Sequence, residues 1–138
     1  MVETTLDADE VLKTCNLVVT TTPSTQPLLQ AASLHPGLHI TAMGSDTADK
    51  QELDSAILAR ADLVVADSIS QCLSRGEIFH ALTSGHLRQE RLVELGRIIS
   101  GEAPGRTSES QITVADLTGL ATQDIQIATL VYRKSFTA

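Results

Sequence analysis

Aromatic side chains are scarce in this chain of 138 residues. They make up 2% of it, whereas hydrophobic residues make up 42%. Leucine, isoleucine, valine and alanine must therefore fill the core. Small aliphatic side chains of this kind suit a parallel sheet that helices cover on both faces. The length is that of one domain or of part of one.

The chain also has few cysteines and few basic residues. Cys15 and Cys72 form neither a metal-binding motif nor a disulfide framework, and two free thiols favour a reducing, cytoplasmic location. The formal net charge is −7, and the Lys and Arg residues do not cluster. We therefore expect no nucleic-acid partner.

Long apolar runs are missing as well. None approaches the ~18 residues that a bilayer-spanning helix needs, so we expect no membrane partner. The first residues show no basic segment followed by an apolar stretch, so we expect no signal peptide. The four histidines do not have the spacing of a metal site, and we expect no metal.

Short β-branched runs alternate along the chain with segments of helical periodicity. This alternation predicts an α/β fold whose parallel sheet is joined by right-handed crossovers. We expect strands at 16–22, 38–43, 62–67 and 112–116, helices at 7–15, 50–60, 69–75, 77–82, 92–99 and 120–134, a helical turn at 27–32 and a polar loop at 101–110.

Capping residues mark several of the predicted helices. Asp7 or Asp9 opens the first helix, and Ser68 precedes the helix at 69–75. Gly85 follows the helix at 77–82, and Thr118 is placed to cap the last helix. These residues set where we expect the helices to begin and end.

Small polar residues follow all four predicted strands. The carboxyl ends of parallel strands meet at one edge of a sheet, where such folds bind their ligands. Four strand ends of the same chemical character therefore predict one binding edge. The residues that we expect there are Thr20, Thr22 and Ser24, then Met43, Gly44, Ser45 and Asp46, then Asp67 and Ser68, and finally Leu117, Thr118 and Gly119.

The glycine-rich turn of a dinucleotide-binding fold is absent from the sequence. Such a fold opens with a strand, a G-x-G-x-x-G turn and a helix that together hold the pyrophosphate. No version of this motif occurs here, and the first segment is a predicted helix. We therefore expect the second half of a dinucleotide-binding sheet without its first half.

Several motifs occur in an order that is typical of a known family. Each is weak alone, whereas the ordered set covers nearly the whole chain. On this basis the chain resembles the ornithine cyclodeaminase/μ-crystallin family, and most of all its ectoine-utilisation cyclodeaminase branch. The motifs lie at 20–28, 36–46, 50–53, 65–68, 76–78, 94–96, 105–106, 112–121 and 123–124.

The resemblance implies a longer, dimeric protein that depends on NAD or NADP. In that family an N-terminal domain supplies the dimer interface and the substrate-binding Lys and Arg residues. A Rossmann domain holds the cofactor, and the last helix returns to the first domain. We accordingly expect residues 1–119 to be a partial NAD(P)-binding Rossmann domain and residues 120–138 to be the returning helix. The substrate clamp is not matched, so we expect this chain alone to be inactive.

The resemblance also assigns roles to the strand-end residues. It places the turn of Thr20, Thr22 and Ser24 against the ribose and diphosphate of the cofactor. It places Asp46 beside the nicotinamide and the substrate amine, where a carboxylate stabilises an iminium and exchanges protons. The segment 116–119 is matched to the region under the nicotinamide.

Structural explanations for the same residues stay open at this point. Threonine favours strands, and Pro-Ser favours turns. Asp46 is also well placed to cap a turn or helix, and Lys50, four residues on, is placed to pair with it. Ser68 is a plausible N-cap with no role in binding.

The reaction implied by the resemblance is deamination and cyclisation of an amino acid. Hydride leaves the α-carbon, a second amine attacks the resulting imine, ammonia departs and hydride returns. An imine reductase or an amino-acid dehydrogenase is the related alternative. Two further alternatives are a non-catalytic module that binds NAD(P) or a small ligand, and an inactive fragment. An uncovered sheet edge and last helix predict poor solubility or oligomerisation of such a fragment.

Overall fold

The computed structural model describes residues 2–136 as an α/β unit. Its helices are α1 (Ala8–Thr14), α2 (Ser55–Arg60), α3 (Ile69–Cys72), α4 (Gly76–Thr83), α5 (Leu95–Ile99) and α6 (Ala121–Ser135). Short 3-10 turns occupy Ala31–Ser33 and Gln89–Arg91. Its strands are β1 (Leu17–Thr20), β2 (His39–Ala42), β3 (Leu63–Ala66), β4 (Leu92–Glu94) and β5 (Thr113–Asp116).

The five strands form one parallel sheet in the order β1-β2-β5-β3-β4. This arrangement confirms the predicted fold class. The register brings all five strand ends into one row, which we call the carboxyl edge. Its members are Thr20, Ala42, Asp116, Ala66 and Glu94.

The hydrophobic core lies on one face of the sheet. Alternate strand residues such as Val18, Ile40, Val64 and Val114 point into it, as the period of two requires. Buried side chains of α1, α2 and α4 pack against them. On the other face of β1, Leu17 and Val19 are 62% and 53% exposed. The expectation that protein covers both faces therefore fails at β1.

The predicted helix at 92–99 is wrong over its first three residues. Leu92–Glu94 is a strand that pairs with β3, and the helix begins only at Leu95. A run of three residues is too short for periodicity to separate strand from helix. Pairing with a neighbouring strand, which is a long-range contact, decided its conformation.

The predicted helix at 50–60 also begins later than expected. Asp54 accepts a hydrogen bond from Ala56 N, so the helix starts at Ser55. The preceding residues are extended, and Leu53 forms an isolated parallel bridge with Leu29. The helical turn expected at 27–32 is reduced to Ala31–Ser33, since Leu29 takes part in that bridge.

The predicted caps have mixed outcomes. Asp7 accepts hydrogen bonds from Asp9 N and Glu10 N and caps α1 as expected. Ser68 occupies the N-cap position of α3, but its side chain makes no capping bond, and Glu94 accepts from Ile69 N instead.

At the later helices, Gly85 follows the C-cap of α4 with a φ of +75°, which confirms its predicted place. Thr118 does not cap the last helix, because its hydroxyl donates to Asp67 and the N-cap position falls on Leu120.

Helix α6 lies apart from the core. None of its fifteen residues is buried, and Ile125, Val131 and Tyr132 are more than half exposed. Its apolar side chains are therefore available to another protein surface. Within the part of the chain that the structure describes, no helix is long and apolar enough to cross a membrane.

Replacing Gly76 with alanine should destabilise the fold more than the same change at Gly85. Both have positive φ, +88° and +75°, so each alanine meets a left-handed backbone cost of about 1–2 kcal/mol. At Gly76 the new Cβ would also lie 2.6 Å from Asp116 Oδ2, whereas the position at Gly85 is open. Urea unfolding of the two variants measures the difference. If both variants lose the same free energy of unfolding, the close approach of Gly76 to Asp116 is contradicted.

Candidate functional site

The carboxyl edge brings the predicted site residues together. Hydrogen bonds link the residue that follows one strand to the last residue of its neighbour: Met43 N donates to Thr20 O at 2.9 Å, and Leu117 N donates to Ala42 O at 2.9 Å. Asp67 N donates to Asp116 O at 3.2 Å. The four predicted strand ends therefore form one continuous border, as the sequence pattern indicated.

Four of the predicted residues are buried in this border. Thr20, Ser45, Asp67 and Thr118 are each at most 9% exposed, and their polar groups bond to other parts of the protein. The remaining residues are half-buried or exposed and are accessible to a ligand. They are Thr22, Ser24, Met43, Gly44, Asp46, Ser68, Leu117 and Gly119.

Asp46 lies in the loop that follows β2 and is exposed. Its side chain is 56% exposed and forms an ion pair with Lys50 at 2.6 Å, which confirms the predicted pairing. The hydrogen bond from Lys50 lowers the pKa of Asp46 below its usual value, and the Lys50 charge adds to this. The described residues therefore hold Asp46 as a solvated carboxylate.

Glu52 occupies the space between the loops that follow β1 and β2. It is fully buried. One carboxylate oxygen, Oε2, accepts from Thr20 Oγ1 at 2.6 Å and from Gly44 N at 2.9 Å. The other, Oε1, accepts from Thr22 N at 2.5 Å and from Thr22 Oγ1 at 2.8 Å. One side chain thus connects two segments of the predicted binding edge.

Glu77, in the first turn of α4, lies beneath Glu52. Its Oε1 accepts from Glu52 N at 2.8 Å, and its Oε2 accepts from Leu53 N at 3.0 Å. Burial raises the pKa of Glu77 to about 7, although these two hydrogen bonds oppose the shift. The carboxyl group fixes the extended segment that carries Glu52.

Asp116 ends β5 and is also buried. Its Oδ2 accepts from Ile78 N at 2.8 Å. Its Oδ1 has no hydrogen-bond partner among the described residues. Burial raises the pKa of Asp116 to about 8, helped by the carboxylates of Glu77 and Asp67 and opposed by the bond from Ile78. A protonated Asp116 therefore suits this position near neutral pH.

Asp67 connects the ends of β3 and β5. It accepts from Ser68 N at 2.8 Å, from Gly119 N at 3.0 Å and from Thr118 Oγ1 at 3.2 Å. Gln71 donates to Thr118 Oγ1 and to Gly119 O. The segment 117–119 is thus held from two sides, and its outer surface is left accessible.

Sequence reasoning missed the roles of Glu52, Glu77 and Glu94. Glu52 falls in a predicted helix, and a buried acid cannot be told from a solvated one by periodicity. Gly76 next to Glu77 was a usable signal, because glycine is favoured where the backbone approaches another group closely, and Gly76 lies against Asp116. Within residues 2–136, no group of three or more His, Cys, Asp and Glu is placed to hold a metal ion.

Comparison with known proteins identifies relatives over nearly the whole chain. The model of the ornithine cyclodeaminase/mu-crystallin family matches residues 1–137. An uncharacterised cyclodeaminase of Sinorhizobium fredii is 48% identical over 130 residues, which are 94% of this chain and 39% of that protein. The chain thus spans about 39% of the length of this curated relative.

Solved structures agree with this relationship. An archaeal alanine dehydrogenase dimer with bound NAD superposes with a TM-score of 0.87 at 40% identity, covering 94% of this chain and 40% of that one. The iminosuccinate reductase of Paracoccus denitrificans in complex with NAD+ gives 0.84 at 38% identity, covering 91% and 38%.

Replacing Asp116 with asparagine should change how stability depends on pH. The pKa of Asp116 rises from 3.8 to about 8 on folding, so its contribution is present below about pH 4 and is lost as the pH rises to 8. Asparagine keeps an acceptor for Ile78 N and cannot ionise. We expect the stability of the variant relative to the parent to increase from pH 5 to pH 8.5 in urea unfolding.

The matched control is Asp124→Asn, a change of the same kind at an exposed position of α6. It should leave the pH dependence of the parent in place. A parallel pH dependence of Asp116→Asn and the parent would show that Asp116 does not take up its proton on folding.

Proposed function

The chain belongs to the ornithine cyclodeaminase/mu-crystallin family, and from this we propose that it is the NAD(P)-binding portion of a longer amino-acid enzyme. The observation that carries the proposal is that all twelve predicted site residues lie on the single carboxyl edge or in the segments that follow its strands. Two relatives with this fold and about 40% identity have been solved with NAD bound. In parallel α/β sheets this edge is where nucleotides bind.

The groups at the edge suit a nucleotide. Thr22, Ser24, Gly44 and Ser68 are half-buried and have short side chains or none, so a ribose or phosphate can approach the loops closely. The buried carboxylates beneath them are already occupied by N–H and O–H donors. The nicotinamide ring supplies hydride transfer when the cofactor is bound. The glycine-rich turn that this chain lacks would come from the rest of the longer protein.

The proposed reaction class is hydride transfer at the α-carbon of an amino or imino acid. Two relatives, an alanine dehydrogenase and an iminosuccinate reductase, are both named for chemistry of this class. The more specific proposal is an ornithine cyclodeaminase-like deamination and cyclisation in ectoine utilisation, with a diamino acid or an ectoine-derived compound as the substrate. Asp46 is the proposed catalytic group, and its proposed role is to exchange protons with the substrate amine.

A homodimer is part of the same proposal. The exposed apolar side chains of α6, among them Ile127 and Leu130, are suited to cover a second domain or a second copy of the protein. One of the solved relatives is a dimer. The extra domain would also provide the Lys and Arg residues that bind a substrate carboxylate.

A module that binds NAD(P) without turnover is the second candidate. The observation that favours it is the state of Asp46, which is exposed and paired with Lys50. Proton transfer by a carboxylate is most efficient when its pKa lies near the working pH, whereas Lys50 lowers this one. Closure of a further domain over Asp46 would remove this difference between its pKa and the working pH.

The chain should bind NAD+ or NADP+ in calorimetric titration, with a Kd below about 1 mM. Ser68→Trp fills the carboxyl edge and should weaken binding at least about tenfold. Glu90→Trp places the same ring at an exposed position just before β4, at the opposite end of the sheet, and should leave binding unchanged. No heat with either cofactor at millimolar concentration would reject the binding function of this chain.

In the longer protein, Asp46→Asn should abolish ammonia release while cofactor affinity stays near that of the parent. The physical reason is that the amide cannot take up or return the proton of the substrate amine. Steady-state ammonia assays and cofactor titrations of the same sample measure both effects. Retained turnover would remove Asp46 from the mechanism, whereas a parent protein that binds the cofactor without any turnover would favour the second candidate.

A further inference from the structure

We propose that Glu52 is a positioning residue that holds loop 21–24 and loop 43–46 in one arrangement and so shapes the ligand-binding edge. These loops follow β1 and β2 and carry Thr22, Ser24 and Asp46. The inference deepens the proposed function and rests on it for the identity of the ligand. Neither the family match nor the relatives' names assign a role to this residue.

The first support is the distribution of the donors over the two oxygens of Glu52. Thr22 N, from the first loop, donates to Oε1 at 2.5 Å. Gly44 N, from the second loop, donates to Oε2 at 2.9 Å. Backbone N–H groups donate only, and in this arrangement the N–H group of each loop points at a different oxygen. A carboxylate provides two acceptors with a fixed separation, and this sets the spacing of the loops.

The second support is the close approach at Gly44. A Cβ at this residue would lie 2.2 Å from Thr22 O, 2.5 Å from Glu52 Oε1 and 2.6 Å from Glu52 Cδ. Any larger residue would push the second loop away from the first loop and from the carboxylate. Gly44 and Glu52 are therefore a matched pair, in which the missing side chain of one leaves room for the carboxylate of the other.

The third support is that Glu52 cannot easily move to follow the loops. Its backbone N donates to Glu77, and its carbonyl accepts from Leu28 N at 2.7 Å and from Leu29 N at 3.1 Å. The residue is therefore fixed at both ends. It holds the loops in place and does not adapt to them.

Glutamine at position 52 tests whether the side chain needs two acceptor oxygens. It has nearly the same shape but only one acceptor oxygen, so either Thr22 N or Gly44 N must face an NH2 group. The two threonine hydroxyls can rotate and accept, whereas the backbone groups cannot. Glu52→Gln should therefore release one of the two loops and leave the sheet intact.

Amide hydrogen exchange of the ligand-free chain tests this directly. In the parent we expect Thr22 and Gly44 amides to be protected to a similar degree. In Glu52→Gln one of them should exchange at least about tenfold faster, which corresponds to one lost hydrogen bond to a charged group. Amides within β3 and β5 should not change. If both loop amides exchange at the same rates in Glu52→Gln as in the parent, the inference is overturned.

Two variants serve as controls. Glu90→Gln removes an exposed carboxylate before β4 and should change neither loop amide. Thr20→Val removes a hydroxyl donor of Glu52 but keeps both N–H bonds, so the two amides should stay protected. If Glu52→Gln does not fold, the parent decides: similar protection of Thr22 and Gly44 amides supports the inference, and absent or unequal protection overturns it.

Titration with NAD+ and NADP+ separates this inference from the proposed function. If the parent binds, folded Glu52→Gln should bind at least about tenfold more weakly, and Glu90→Gln should bind like the parent. Unchanged affinity of folded Glu52→Gln would overturn the positioning role. A parent that binds neither cofactor would overturn the proposed function of the chain, and hydrogen exchange alone would then decide the role of Glu52.

Discussion

Backbone N–H groups near the carboxyl edge donate to the buried side chains of Glu52, Glu77 and Asp116, and the arrangement of the edge depends on these bonds. Glu77 accepts from the segment that carries Glu52, and Glu52 accepts from the loops that follow β1 and β2. Asp116 accepts from the backbone of α4. Helix, sheet and loops are thereby joined through carboxyl groups. The hydrophobic core packs the elements together, but these bonds determine how the loops lie.

The same arrangement has an electrostatic consequence. Among the described residues, none of these three acids forms an ion pair with Lys or Arg. Burying a carboxylate is costly unless hydrogen bonds or a proton compensate for the lost water. Glu52 has four donors, whereas Asp116 has one and its pKa rises to about 8. Near neutral pH these three acids therefore carry less negative charge than three ionised carboxylates would, which suits a phosphate-bearing ligand.

Much of the fold was predictable because its signals are local. Runs such as Leu17–Thr20 and Leu63–Ala66 are rich in valine, and their β propensity agrees with their place in the sheet. Asp7 caps a helix through bonds to residues two and three positions on. In contrast, β4 has only three residues and depends on its pairing with β3, and segment 50–54 is extended because it contacts Leu29 and Glu77.

Local chemistry in the sequence determined the strand ends, their small polar residues and the family to which they belong. It also placed the twelve candidate residues at one edge, since parallel strands leave no other arrangement of their carboxyl ends. Only the tertiary structure decided which of these side chains are exposed at the edge and which are held inside. That choice depends on acids distant along the chain, such as Glu52 for Thr20 and Asp67 for Thr118, and a contact across 32 or 51 positions has no periodicity that a sequence can display.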